Sequence, residues 1–435
     1  MLPVLLRESS SQEPPNSGSQ SATTPSNDRS GLLAALGVLL IGAFLRSPAI
    51  LLHGRVWAEE SSIFLVGNWH RSFFEALLAP QFGYYSIWDN SLAAVAVHWL
   101  PLTLAAVLFT WSAVLVLLVT GYIVYEAEFL QTRNAKILGV VALLLIAPSL
   151  ETWLNLINSE FYFGLWAAVI LVSDASRLKL QRNCALALAV LSGPLTTLLS
   201  PLFIVRALLR RRRGETLQAV VVCLGSLAQV LVSVTTTTAN RKVHLDFLVL
   251  GPVLFSKQIL LLLLDRAVAK ETYTLILKRF QVTTASELIS WLLLFLAVMG
   301  LVTVLRRQRA AISLLVVAFW MAVLESLLAL NGGANLIGPG FGERYAFTPN
   351  VVLGIAFLVA ATAATPTWER KAARVLLVLA LLSGMMDYVL LPLRSRTAYQ
   401  VKPWRQQVLG WEKDPSQPLQ PQPSNWQPIH LSSQH

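Results

Sequence analysis

Apolar runs of about twenty residues recur along this chain, and they constrain its fold more than any other feature. Twenty helical residues cross the hydrocarbon core of a bilayer. The sequence is 55% hydrophobic and only 13% charged, whereas soluble domains carry about 25% charged residues. We therefore predict an integral multi-pass membrane protein with an all-α fold, a transmembrane helical bundle of about ten to twelve spans.

The basic residues between the runs set the predicted topology. The predicted spans are residues 31–52, 101–125, 137–148, 161–172, 217–237, 244–264 (partly inserted), 287–305, 310–330, 351–364 and 375–391, with 183–209 as two short helices or a re-entrant pair. Basic clusters fall at 177–182, 206–213, 306–309 and 370–374, all on one side in this count. Because Lys and Arg mark cytoplasmic loops, the net charge of +11 predicts a membrane topology and no nucleic-acid partner.

Composition divides the chain into three parts. Residues 1–30 are rich in Ser, Pro and Asn and predict a disordered cytoplasmic tail, and the Pro- and Gln-rich residues 393–435 predict a disordered C-terminal tail. Residues 31–392 form the transmembrane domain. Within it, residues 53–100 form an extracytoplasmic first loop whose many aromatic residues predict helices lying in the membrane interface.

Soluble-enzyme signatures are missing from this chain. No CxxC, HExxH, GxGxxG or Walker sequence occurs, and no metal ligands are predicted. The two cysteines, Cys184 and Cys223, lie in apolar segments, which predicts small buried apolar residues rather than a disulfide or a metal site.

Two adjacent acids, Glu59 and Glu60, stand in the stretch RVWAEESSIFL directly after the first span. Adjacent helical residues point about 100° apart, so the pair cannot face one narrow site. Either both acids are solvated at a helix end, or one faces a cavity while the other caps the helix.

Other polar residues fall on the same predicted side, among them Arg55, Asn158, Arg344 and Tyr345. Arg344 lies between a Gly-rich turn and an apolar span, at the height of lipid headgroups. It is therefore either a snorkelling interfacial arginine or a clamp for an anionic lipid phosphate.

Several short motifs in order resemble the GT-C superfamily of lipid-phosphosugar-dependent membrane glycosyltransferases. WAEE followed by IF and then GYY is similar to a bacterial group whose first loop contains WAED. NSEFY (158–162), LSGP (191–194) and RYAFTP (344–349) resemble that group's later elements. The resemblance covers residues 35 to 360. Here the second acid is Glu where the group has Asp, so the reach of Glu60 differs by one methylene.

The resemblance implies transfer of a sugar from a polyprenyl-phosphate donor to a glycan, lipid or protein acceptor on the outer face of the bacterial inner membrane. Glu59 or Glu60 would be the base, or would orient the acceptor, and in some members this acid binds a divalent cation. The remaining expected site residues bind substrate, with Arg344 and Tyr345 on the donor phosphate; the others are Tyr84, Asn158 and Arg55.

Two other functions remain open. The broken helix at LSGP suits a transporter or a flippase for lipid-linked glycans, and a non-catalytic scaffold or polymerase-type partner in envelope assembly is also compatible. A transferase predicts polar groups that converge at the outer face, between the first loop and the ERY turn (343–345). A transporter predicts convergence at mid-bilayer.

Overall fold

The fold is a bundle of α-helices. The computed structural model describes residues 28–236, 247–264, 266–271, 274, 284–329, 336, 342–364, 367–398 and 401–432. These residues contain no β-strand, only isolated bridges. Seven of the described helices are long and apolar enough to cross a membrane, and two further apolar helices are shorter. The all-helical class, with seven candidate membrane-spanning helices, is therefore confirmed, while the count of ten to twelve spans stays a prediction.

The principal helices follow the predicted apolar runs. They are α1 (Arg29–Arg46), α2 (Pro48–His53), α3 (Phe73–Leu78), α4 (Ile87–His98), α5 (Ala105–Tyr125), α6 (Arg133–Leu145), α7 (Ser159–Val172), α8 (Lys179–Val190), α9 (Leu195–Leu198), α10 (Ser200–Arg210), α11 (Arg213–Thr235), α12 (Phe247–Leu254), α13 (Thr284–Leu305), α14 (Arg309–Leu328), α15 (Arg344–Ala361), α16 (Trp368–Ala398) and α17 (Trp404–Lys413). Helices α3 and α4 lie in the first loop, and their interfacial position stays a prediction.

The first predicted span is two helices rather than one. Helix α1 ends at Arg46 because Pro48 disfavours helical backbone at the preceding residue, Ser47. The break places Arg46 at a helix end, fully buried, where Nη2 donates to Oγ of Ser149 at 2.8 Å. Its guanidinium lies 4.1 Å from the ring centroid of Trp153. This arginine therefore faces protein rather than hydrocarbon, as an intramembrane charge requires.

Helices α7 and α15 form the centre of the bundle. In α15, 89% of the residues are buried, the largest share among the seven long helices. Oγ1 of Thr348 donates to the carbonyl of Phe161 at 2.8 Å, and the rings of Tyr162 and Phe347 lie 4.9 Å apart. The N-terminal ends of these two helices meet beneath the first loop, so the core positions that loop.

The segment 183–209 is broken, as the sequence predicts, into short helices. Helix α8 ends at Val190, a turn follows at 191–194, and α9 and α10 continue the chain. Gly193 in this turn has φ +145, a backbone conformation that L-amino-acid side chains rarely adopt.

Basic residues gather at the end of the bundle opposite the first loop. Arg182 pairs with Glu128 at 2.7 Å, and Arg307 pairs with Glu369 at 2.8 Å. Arg206 donates to the carbonyl of Leu171 and Arg374 donates to that of Ala361, at the C-terminal ends of α7 and α15, so these basic loops share one end of the fold. Cys184 is exposed and Cys223 is half-buried, so the prediction that both are buried is wrong, because each lies on an outward face of its helix.

The C-terminal segment is folded where the sequence predicts disorder. Residues 401–432, here called the C-terminal cap, contain α17 and a short paired turn in which Leu419 and Ile429 exchange hydrogen bonds at 2.9 Å. The rings of Trp411 and Trp69 meet edge to face at 5.9 Å, and Nε1 of Trp404 donates to the carbonyl of Leu102 at 2.9 Å. The prediction fails between 401 and 432 because the few apolar residues find their partners in the first loop. Residues 1–27 and 433–435 lie outside the described part.

Candidate functional site

The acid pair lies where the C-terminal cap meets the first loop. The backbone N–H of Ala58 donates to the carbonyl of Gln422 at 2.6 Å, and that of Gln422 donates to Val56 at 2.9 Å. This pairing holds the chain immediately before Glu59, and a π-helical turn, Glu60–Leu65, begins directly after it. Both acids therefore stand on a fixed stretch of backbone.

Glu60 points into the protein and is fully buried. Oε2 accepts the backbone N–H of Trp57 at 2.6 Å, and Oε1 accepts those of Leu156 and Ile157. Burial raises the pKa of Glu60 to about 7, and the backbone donors and Arg55 oppose that rise. This carboxyl connects the first loop to the turn before α7 by hydrogen bonds. Because it is fully buried, a substrate has no access to it.

Glu59 points the other way, towards Arg344. Oε1 of Glu59 lies 3.7 Å from Nη1 of Arg344, and their side chains are 16% and 24% exposed. Oε2 of Glu59 is buried and has no hydrogen-bond partner among the described residues. The structure thus brings together the two residues that the sequence places on one face, and it separates Glu59 from Glu60.

Arg344 has two further neighbours. Its backbone N–H donates to Oε2 of Glu151 at 3.4 Å, and its guanidinium lies 5.3 Å from the ring centroid of Tyr345. Tyr345 in turn packs against Phe161, with ring centroids 6.0 Å apart. The predicted pair Arg344 and Tyr345 is therefore one unit at the start of α15, fixed against the N-terminal end of α7.

A second group of charges continues from this unit. Arg266 pairs with Glu343 and, at 3.2 Å, with Asp387. Lys257 is buried within electrostatic range of Glu343 and Glu151. A group of mostly buried charges, both acidic and basic, thus extends from the first loop into the bundle.

No family model, curated protein or solved structure matches this chain.

Three predicted substrate-binding residues have structural partners instead of an open position. Arg55 is buried, donates to the carbonyl of Trp153 and stacks over Trp57 at 4.5 Å. Nδ2 of Asn158 donates to the carbonyl of Glu151 at 2.7 Å. Tyr84 is buried, and its backbone exchanges hydrogen bonds with Gln81. These residues shape the walls of the loop, and their contact with a substrate stays a prediction.

Metal binding has no dedicated site in the described part of the chain, where no group of three or more His, Cys, Asp or Glu side chains is arranged around a common point. The divalent cation implied by the resemblance stays a prediction. Two of the polar residues on the predicted outer face, Asn331 and Asn335, lie outside the described residues.

Glu151, Lys257, Arg266 and Asp387 are the site-forming residues that sequence reasoning missed. A signal was present for Lys257, because a lysine inside the apolar run 244–264 is costly unless it has a partner. Glu151 directly follows an apolar segment in the same way as Glu59, and that parallel was its signal. Arg266 and Asp387 reach Glu343 only through the packing of the bundle.

Proposed function

We propose that this protein is a membrane glycosyltransferase that transfers a sugar from a polyprenyl-phosphate donor to an acceptor on the extracytoplasmic face. The observation that carries the proposal is the approach of Glu59 to Arg344. One carboxylate and one guanidinium meet between the first loop and the start of α15, where the phosphate of a lipid-linked donor would bind. This is the pairing that base-assisted transfer from a lipid phosphate needs.

Each group has a defined task in this reaction. The carboxylate of Glu59, whose side chain is 16% exposed, accepts the proton of the acceptor hydroxyl. The acceptor oxygen then forms a bond to the anomeric carbon while the bond from that carbon to the phosphate oxygen breaks. The polyprenyl phosphate leaves with the electron pair, and Arg344 stabilises its added negative charge.

The ion pair between Arg344 and Glu59 is one that a donor phosphate can displace. The ion pair is partly exposed, and at 3.7 Å it is longer than a strong charge-assisted hydrogen bond of about 2.7–2.9 Å. A donor phosphate can therefore replace Glu59 on the guanidinium at little cost. That replacement leaves Glu59 next to the reacting centre as a carboxylate.

We place the protein in the bacterial inner membrane, with the first loop and the C-terminal cap on the outer side. The basic end of the bundle would then be cytoplasmic, as the distribution of Lys and Arg predicts. Membrane lipids, the lipid-linked donor and a glycan, lipid or protein acceptor are the expected partners.

Proteoliposomes containing a radiolabelled polyprenyl-phosphate sugar test this function. A transferase releases polyprenyl phosphate and labels an added acceptor fraction from cell envelopes. A flippase, the second candidate, instead moves the intact donor between leaflets without consuming it. Protein-dependent movement of the donor without its consumption contradicts the transferase. Surface glycans of a strain that lacks the protein then identify the sugar.

A further inference from the structure

A cavity of about 120 Å³ opens at the basic end of the bundle, between α5, α7 and α8. Its apolar lining comes from Val119, Ile123, Ile170, Leu178 and Ala185. The other lining residues are Tyr122, Glu126, Ser173, Gln181 and Arg182. An apolar cavity of about 150 Å³ accepts a molecule the size of benzene. This cavity therefore has room for an apolar side chain.

The buried polar groups of the lining already have partners in the protein. Arg182 pairs with Glu128 at 2.7 Å and donates to the carbonyl of Glu126 at 3.3 Å. Oγ of Ser173 donates to the carbonyl of Val169 at 2.8 Å. The guanidinium is therefore already engaged, and the surface that the cavity leaves uncovered is mainly apolar.

The cavity extends from the helix ends into the bundle. Glu126 directly follows α5 and Ser173 directly follows α7, whereas Val119 lies about two turns before Glu126 along α5. Helix ends with basic residues lie at the height of the lipid headgroups. A peptide on the aqueous side therefore reaches this cavity without crossing the hydrocarbon of the bilayer.

The chain that precedes α1 joins the bundle beside this cavity. Asp28 accepts the hydroxyl of Tyr125 on α5 at 3.0 Å, and its carboxylate lies 3.5 Å from Nε of Arg133. Tyr125 is three residues after Tyr122, which lines the cavity, and residues three apart are neighbours on a helix surface. The residues before Asp28 therefore start about one helical turn from the cavity.

Those preceding residues contain one apolar stretch. Residues 1–27 lie outside the described part of the chain. In their sequence, Leu2–Leu6 reads LPVLL, and residues 7–27 contain no Val, Ile, Leu, Met or aromatic residue. A random coil as long as residues 7–27 has an r.m.s. end-to-end distance of about 25 Å. Such a tether reaches the cavity and gives the apolar stretch an effective concentration of the order of millimolar there.

The charges of the two parts are complementary. Residues 8–27 carry Glu8 and Glu13 and no Lys or Arg. The lining residue Leu178 stands between Arg177 and Lys179, which are both exposed. This attraction favours the approach of the acidic tether to the start of α8.

We propose that the apolar stretch Leu2–Leu6 occupies this cavity, so that the chain before α1 folds back onto the junction of α5, α7 and α8. A Leu or Val side chain gains free energy by leaving water for an apolar surface. The cavity supplies that surface within reach of the tether. The basic end of the bundle is then an interaction surface for the N-terminal segment of the same chain.

Cross-linking within the intact chain tests this proposal. Cys184→Ser and Cys223→Ser first remove both native cysteines. Glu8→Cys then places a thiol beside the apolar stretch, and Gln181→Cys places one at the exposed edge of the cavity. In native membranes, a short bismaleimide should join these two thiols at least about tenfold faster than it joins Glu8→Cys to Lys371→Cys. Lys371 is exposed, lies at the start of α16 and does not line the cavity.

Variants of the apolar stretch and of the cavity then locate the contact. Leu5→Asn combined with Leu6→Asn should lower the cross-linking rate at Gln181→Cys to that at Lys371→Cys, because the apolar side chains are lost. Ser10→Asn combined with Ser11→Asn is the matched control and should keep the faster rate.

Ala185→Phe fills the cavity and should slow the cross-link as the leucine variants do. Leu180→Phe is its control, since Leu180 lies on the outward face of α8 and is 76% exposed. If Ala185→Phe does not fold, the leucine variants decide, because they leave α5, α7 and α8 unaltered.

Three results would overturn the proposal. Equal cross-linking at Gln181→Cys and Lys371→Cys shows that the apolar stretch does not reside in the cavity, as expected if a lipid fills the cavity or the bilayer holds the stretch. A rate that Leu5→Asn with Leu6→Asn leaves unchanged shows that the apolar side chains are not the occupant. A covalent dimer in place of the cross-linked single chain assigns the cavity to the segment of a second copy. None of these readouts depends on the proposed transferase.

Discussion

Oε1 of Glu59 lies 3.7 Å from Nη1 of Arg344, which joins the first loop to the start of the most enclosed helix of the bundle. The neighbouring acid, Glu60, faces the opposite way and binds three backbone amides. The two adjacent glutamates thus have different surroundings. Variants of Glu59 should lose activity, whereas variants of Glu60 should lose stability.

Glu59→Gln should lower transfer from the lipid-linked donor by about 10²–10⁴-fold, because it removes the proposed proton acceptor. Its melting temperature should stay near that of the unaltered protein, because the ion pair that it breaks is partly exposed. Proteoliposome assays and thermal unfolding measure the two effects. Glu75→Gln is a control in the same loop, since glutamine preserves the capping box there. Full transfer by Glu59→Gln would contradict the proposed base.

Glu60→Gln should destabilise the protein by about 1–3 kcal/mol, because the amide nitrogen of glutamine meets backbone N–H donors that now bind a carboxylate. Glu60→Asp should be destabilised as well, because its carboxyl is one methylene too short to span from Trp57 to Leu156. The measurement is thermal unfolding in detergent. A variant at this position that is fully stable and inactive would instead assign the chemistry to Glu60.

The stability of the protein should depend on pH through Glu60. Its pKa in the folded state is about 7, against 4.5 for an unperturbed glutamate, since burial disfavours the charged form. The folded state therefore holds a proton that the unfolded chain releases, and stability falls as the pH rises from about 4.5 to about 7. Burial also raises the pKa of Asp89, an effect of the same sign. Glu60→Gln should flatten the melting temperature over this window, and an unaltered slope would exclude Glu60 as its source.

Arg344→Ala should weaken donor binding by roughly 10–100-fold, because a charge-assisted bond to phosphate is lost. Arg344→Lys should recover part of the affinity, as it keeps the charge without the planar fork. Binding of labelled donor to purified protein measures both. Arg405→Ala removes an exposed arginine of the C-terminal cap and serves as the control for net charge. Equal donor binding with and without the Arg344 guanidinium would refute the phosphate clamp.

A stop codon after residue 400 should leave the spans inserted and abolish transfer, because it removes the segment around Gln422 that pairs with Val56 and Ala58. Trp411→Ala, which empties the contact with Trp69, should have a milder effect of the same kind. Protease sensitivity of the first loop reports its loosening. Trp426→Ala is the matched control, since that side chain is 36% exposed. Undiminished transfer by the truncated protein would show that the C-terminal cap does not position Glu59.

Hydropathy predicted many of the helices of the bundle, because few structures other than helices satisfy their backbone hydrogen bonds inside a lipid bilayer. The runs 217–237 and 287–305 correspond within a few residues to Arg213–Thr235 and Thr284–Leu305. The approach of Glu59 to Arg344 was also anticipated in part, since both were placed on one face. Sequence could not divide the roles of Glu59 and Glu60, because that division depends on the amides of Leu156 and Ile157, far along the chain.

The folded state of the C-terminal cap could not be predicted from the sequence for a related reason. Its Pro- and Gln-rich composition has too few apolar residues to form a core alone. Trp404 and Trp411 become buried only because the first loop offers Leu102 and Trp69 as partners. A local pattern cannot show a partner more than three hundred residues away.

The pairing of Gln422 with Val56 and Ala58 also sets an order of events during biogenesis. The first loop is synthesised early, yet the backbone that holds Glu59 lacks its neighbour until residue 422 has been synthesised and has reached the first loop. A nascent chain in which residues 401–432 are still inside the ribosome therefore has an incomplete candidate site. Docking of the C-terminal cap onto the first loop is the step that completes it.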